Sequence, residues 1–167
     1  MKKLYALLII LIIVYIGINV GANNLNFTGS DANVVDANSS ISLGDGSFPS
    51  IENFTDTKVN DTTISLFNPN YNMTINVTLL DNSQNISDIA NNLIASGQYT
   101  SNQVIDQNGV TTYFLYKEGT DSYGADIYFN KNGQNYLISG YGISYENSDY
   151  FINNCKGIID TLNSTQK

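Results

Sequence analysis

From Thr62 onward apolar and polar residues alternate, as TTISLF over 62–67 and MTINVTLL over 73–80, on either side of Asn68-Pro69-Asn70. Successive strand side chains point to opposite faces, so this alternation predicts two half-buried strands joined by a turn. The spacing then changes. Ile86, Ile89, Ala90, Leu93 and Ile94 recur at three- and four-residue intervals between Asn85, with Asp88 three residues on, and Gly97. That pattern predicts a capped helix with one apolar stripe. Strand-like segments return over 103–106, 110–117, 123–130 and 135–143. Asn108-Gly109 and Asn132-Gly133 lie between them, and two-residue hairpin turns favour such pairs because both central positions need positive φ. Phe151, Cys155, Ile158, Ile159 and Leu162 fall at helical spacing and predict a closing helix over about 148–162, with Gly157 as one interior residue costing about 1 kcal/mol.

Strand, strand, helix, a three- to four-strand meander and helix together predict an α+β domain over 61–167, an antiparallel sheet with two helices packed on it. What precedes it differs in kind. Lys2 and Lys3 stand before an uninterrupted apolar run, Leu4 to Ile18, extending to Val20. A charged start followed by such a run is an export leader, with the lysines on the cytoplasmic side. Residues 1–22 therefore read as an N-terminal hydrophobic helix. The run is short for a bilayer core, which takes roughly 20 apolar residues. Val20-Gly21-Ala22 also offers small residues for a peptidase, so a signal anchor and a signal peptide cleaved after Ala22 both fit. Asn, Ser, Asp, Thr and Gly dominate 23–60 with no sustained period, which reads as a flexible stalk; Val34, Val35, Ile41 and Leu43 are candidates for an added edge strand.

Charge and composition narrow the function. Fifteen acidic residues against seven lysines, with no Arg and no His, leave a net charge of −8. Such a chain repels phosphate backbones, so nucleic acid is not an expected partner. It also lacks the commonest general base, the commonest zinc ligand and the bidentate phosphate clamp. No catalytic motif, metal set or cofactor is implied. An acid-pair hydrolase, the remaining catalytic alternative, would draw on Asp126, Glu118 or Glu146, and no spacing singles out a pair. Turn clusters at 121–126 and 130–135 lack the calcium-loop spacing, and turns favour Asp and Asn for backbone reasons. The single cysteine, Cys155, excludes an internal disulfide. Its place on the apolar stripe predicts burial, with an intermolecular disulfide as the alternative.

Sequons N-x-[ST] begin at Asn26, Asn38, Asn53, Asn60, Asn72, Asn76, Asn85 and Asn163. Random order of 25 Asn and 29 Ser and Thr predicts roughly four. The excess points to N-glycosylation of an exported chain, except at Asn72 and Asn76, which fall in a predicted strand.

Order and layout over residues 59 to 165, with the turn-rich meander ending in the helix FINNCKGIIDTL, resemble PsbP-like domains, and envelope proteins of methanogenic archaea share this layout. The resemblance implies an accessory or binding module with no shared catalytic residues. The expected function is thus a membrane-tethered extracytoplasmic domain, held through residues 4–20, that binds an envelope protein or a glycan. A secreted carbohydrate-binding module is the alternative. Its ligand face would be Tyr113, Tyr128 and Tyr141, which lie on adjacent predicted strands; aromatic residues also suit strands for packing alone. Were both helices to cover one face of the sheet, the other would be open for such a ligand.

Overall fold

The computed structural model describes residues 39–119 and 122–164. The leader 1–22, Asn26, Asn38, Val34 and Val35 lie outside the described residues, as does the side chain of Asn163. Among the described residues no helix is long and apolar enough to cross a membrane.

The chain runs β1 (Ser40–Leu43), β2 (Gly46–Pro49), β3 (Thr55–Asn60), β4 (Thr63–Asn68), β5 (Met73–Leu79), α1 (Ile86–Ala95), β6 (Ser101–Gln107), β7 (Val110–Glu118), β8 (Tyr123–Lys131), β9 (Gln134–Ile143), α2 (Ser148–Thr161) and β10 (Asn163–Ser164). Seven strands form an antiparallel sheet in the order β3-β4-β5-β9-β8-β7-β6, and β1-β2-β10 form a second, small sheet. The α+β class, the antiparallel sheet and the two helices agree with the sequence pattern. Both expected hairpin turns have positive φ at their central residues, 51° and 83° at Asn108 and Gly109, 54° and 78° at Asn132 and Gly133.

One boundary is corrected. Residues 39–60, taken from their composition as stalk, form β1, β2 and β3. Ile41, Leu43 and Phe48 are buried, so two short strands with few apolar residues still contribute to the core. β3 buries none of its side chains and is held as an edge strand by its pairing with β4. An exposed Lys58–Asp61 ion pair at its end adds the charge that edge strands carry against stray pairing.

Directly opposed residues share a face, so the register sorts the side chains. One face carries Ile64, Leu66, Met73, Ile75, Val77, Ile138, Tyr136, Ala125, Ile127, Phe129 and Phe114, all buried. α2 covers this face, packing on β9, β6 and β2, and buries Phe151, Cys155, Ile158 and Ile159. Cys155 is fully buried, and burial pushes its thiol pKa well up, which leaves it a small core hydrophobe. α1 packs on β7 and β8 from the opposite side. The two helices thus lie on opposite faces, and neither face is left wholly open.

The buried and half-buried tyrosines carry a pH consequence. Tyr99, Tyr116, Tyr128, Tyr136 and Tyr150 all have hydroxyl pKa values raised above the ordinary 10.0, in each case chiefly by burial. A raised folded-state pKa contributes stability that is complete below the unfolded value and is lost as pH climbs above it. Thermal midpoints are expected to fall steeply once pH passes about 10, as followed by circular dichroism melts at stepped pH. A midpoint that stays level well above pH 10 would contradict this.

Candidate functional site

Asp81, Asn82, Ser83, Gln84 and Asn85 form a polar loop between β5 and α1. It is clamped to the β8–β9 hairpin by side-chain amides. Asn135, 3% exposed, donates through Nδ2 to the carbonyls of Gln84 (2.8 Å) and Asp81 (3.2 Å), and its Oδ1 accepts from Asn130 Nδ2 (2.8 Å). The backbone N–H of Asn135 in turn donates to Asn82 Oδ1 (2.7 Å), and Asn82 Nδ2 donates to Gln134 Oε1 (2.9 Å). At the loop's end Asn85 caps α1, its Oδ1 accepting from Ser87 N at 2.9 Å.

This frame bounds a groove of about 620 Å3 at the end of the sheet where the two Asn-Gly turns meet, with Asn82, Asn85, Thr111, Tyr113, Asn130 and Asn135 in its lining. The volume lies within the roughly 300–1,000 Å3 of small-molecule sites. None of its twelve lining residues is charged, and Tyr113 is the one aromatic among them. Amides and hydroxyls already locked by internal hydrogen bonds are pre-organised for a polar, neutral ligand.

The three tyrosines share a face, as the alternation expects. Tyr113 opposes Tyr128, which opposes Leu137, and Tyr141 lies four residues along β9. They do not form one exposed row. α1 buries Ile86 against Leu115 and Tyr128, with Ile89, Leu93, Tyr113 and Leu137 around them. Tyr128 is left 8% exposed while Tyr141 is 53% exposed. Tyr113 borders the groove, Tyr128 lies under the helix, and Tyr141 belongs to the uncovered half of the face, where Thr74 sits between it and the exposed Phe67.

Beside Tyr128 is the main charged feature of this face. Asp126 accepts from Tyr99 Oη (2.5 Å), Ser139 Oγ (2.6 Å) and Lys117 Nζ (3.3 Å), and the Lys117 ammonium lies 4.4 Å from the centre of the Tyr99 ring. Burial, and then the bond to Asp126, push the Tyr99 hydroxyl pKa up. A carboxylate held by three donors is a structural anchor with its charge compensated. Asp126 does not line the groove, and neither do Glu118 and Glu146. Among the described residues no three metal-ligating side chains gather.

Of the three tyrosines singled out by alternation, Tyr113 lines the groove, together with amides that the sequence did not single out. Asn130 and Asn135 bound the turn cluster read as backbone chemistry; the legible signal was that two Asn-Gly hairpins in one meander bring their turns to the same end of the sheet.

No protein-family model matches the chain, and no curated protein matches it. Among solved structures the chain is similar to the solution structure of cyanobacterial PsbP (CyanoP) from Synechocystis sp. PCC 6803, with a TM-score of 0.49 and 10% identity over 82% of this chain and 98% of that one. It is also similar to a crystal structure from Bacteroides thetaiotaomicron VPI-5482, with a TM-score of 0.48 and 12% identity over 76% of this chain. The chain spans 48% of that second protein. No residue role is taken from either.

Proposed function

We infer that the chain is a membrane-tethered extracytoplasmic domain that binds a neutral, polyhydroxylated ligand, of which a glycan is the natural class, in the groove beside Tyr113. The carrying observation is the lining: amides, hydroxyls, one aromatic ring and the aliphatic Ile86, with no charge and no carboxylate. Sugars are recognised by that combination, a ring face for stacking and oriented amides for the hydroxyls. The net charge of −8 opposes anionic ligands at long range. The binding is non-catalytic, since the groove presents no nucleophile paired with a base. Tethering is supported by Lys2, Lys3 and the apolar run that follows them.

Two measurements test this reading. Calorimetric titration with soluble neutral oligosaccharides is expected to show at least a tenfold weaker affinity for Tyr113→Ala, about 1.4 kcal/mol, and near wild-type affinity for Tyr113→Phe. An unchanged Tyr113→Ala affinity would remove the groove as the site. For tethering, the native protein is expected in the membrane fraction at full-length mass. A chain in the medium beginning at Asn23 would make it a secreted module instead.

A further inference from the structure

The side chains of five of the eight sequons are described, at Asn53, Asn60, Asn72, Asn76 and Asn85, and the fold treats them differently. Asn60 and Asn85 are exposed, and in both the side-chain oxygen accepts two bonds from the third residue of its own sequon. Asn60 Oδ1 accepts from Thr62 N (2.8 Å) and Thr62 Oγ1 (3.0 Å). Asn85 Oδ1 accepts from Ser87 N (2.9 Å) and Ser87 Oγ (2.8 Å). Both residues are exposed, and the bonds just named engage the side-chain oxygen and leave Nδ2 outside them.

The other sequons lack this arrangement. Asn76 lies within β5, paired on both sides to β4 and β9. It is followed by the fully buried Val77, and its own Oδ1 is buried. Asn72, expected in a strand, instead occupies a turn at φ 49° and is exposed, but among the described residues its side chain receives no hydroxyl bond from Thr74, which is paired in β5. Asn53, at φ 63°, receives no hydroxyl bond from Thr55 among the described residues.

We propose that Asn60 and Asn85 are N-glycan acceptors and that Asn76 is not. The donor class is a glycan carried on a lipid phosphate. The bond from its anomeric carbon to the phosphate oxygen breaks and the electron pair leaves with the lipid phosphate. A bond forms to asparagine Nδ2, which releases one proton. A hydroxyl donating to Oδ1 favours that release, because the charge left by the proton is shared with the oxygen it stabilises. Asn60 ends the exposed edge strand β3 and Asn85 caps α1, so both acceptors are reachable with the sheet intact. At Asn76 a transferase would have to part β5 from two neighbours, leaving buried backbone groups unpaired. A glycan on Asn85 would start at the rim of the groove, which Asn85 and Ser87 both line.

The assignment rests on the extracytoplasmic reading, and the experiment separates the two. Intact cells of the native source are treated with external protease to establish on which side the domain lies, and the occupancy of each sequon in the full-length protein is read by peptide mass. Most copies of the Asn60 and Asn85 peptides are expected to carry glycan and the Asn76 peptide none. Thr62→Ala and Ser87→Ala are each expected to lose one glycan's mass, while Thr62→Ser and Ser87→Thr keep it. Bare Asn60 and Asn85 on a domain cleaved from outside, or glycan on Asn76, would overturn the assignment alone. A domain beyond the protease's reach would overturn the extracytoplasmic reading and the assignment with it.

Discussion

Replacing Phe151 with alanine is expected to cost about 3–5 kcal/mol of folding stability, a large share of the roughly 5–15 kcal/mol that holds a small domain together. Phe151 is 1% exposed and anchors α2 to the sheet. Its ring lies over Gly140, where an added Cβ would come within 2.3 and 2.5 Å of ring carbons Cε2 and Cζ and 2.9 Å of Ile143 Cδ1. The absence of a side chain on β9 is therefore what lets the helix seat. Gly140→Ala alone is expected to cost about 1–3 kcal/mol by overpacking. Combined with Phe151→Ala it should cost less than the sum, because the methyl group enters the space the ring vacates. Urea melts of the four proteins check this, and strict additivity would deny the contact.

Asn135→Ala is expected to remove about 2–4 kcal/mol, from three side-chain hydrogen bonds lost at a buried position, and to release the loop over 81–85 that forms one wall of the groove. The two effects share a cause, since the same amide holds both carbonyls of the loop. Hydrogen exchange at residues 80–87 should accelerate well beyond that of β7 and β8, and oligosaccharide affinity should fall with it. A loop that stays protected in the variant would place the clamp elsewhere.

The sheet from β4 onward, both helices and the two Asn-Gly turns were legible because each rests on local signals: alternation, helical spacing, and residues that tolerate positive φ. β3 was not. Its sequence TDTKVN buries nothing, so its strand character comes from backbone pairing with β4 and leaves no mark in the hydropathy pattern. Ile41 and Leu43, named as candidates for an added strand, do lie in β1, but β2 adds only Phe48 to the core, too little to show a period among so many Asn and Ser. The stripes of α1 and α2 told that each helix is half-buried, but a stripe does not name the face it meets. The fate of the tyrosines followed from that: alternation placed Tyr113, Tyr128 and Tyr141 on one side, and α1 decided which of them meets solvent. Asn135 and Gln84 are 51 residues apart, and Asn82 and Gln134 are 52 apart, so the bonds that shape the site are tertiary facts with no local signature.

The most direct test of a neutral binding groove is a titration of the full-length wild-type protein with paired oligosaccharides of equal length, one neutral and one carrying uronate carboxylates. The groove's uncharged lining and the chain's negative field predict saturable binding of a neutral member, with its acidic counterpart at least tenfold weaker, about 1.4 kcal/mol. Tighter binding of the acidic member, or no saturable binding of any neutral one, would contradict it.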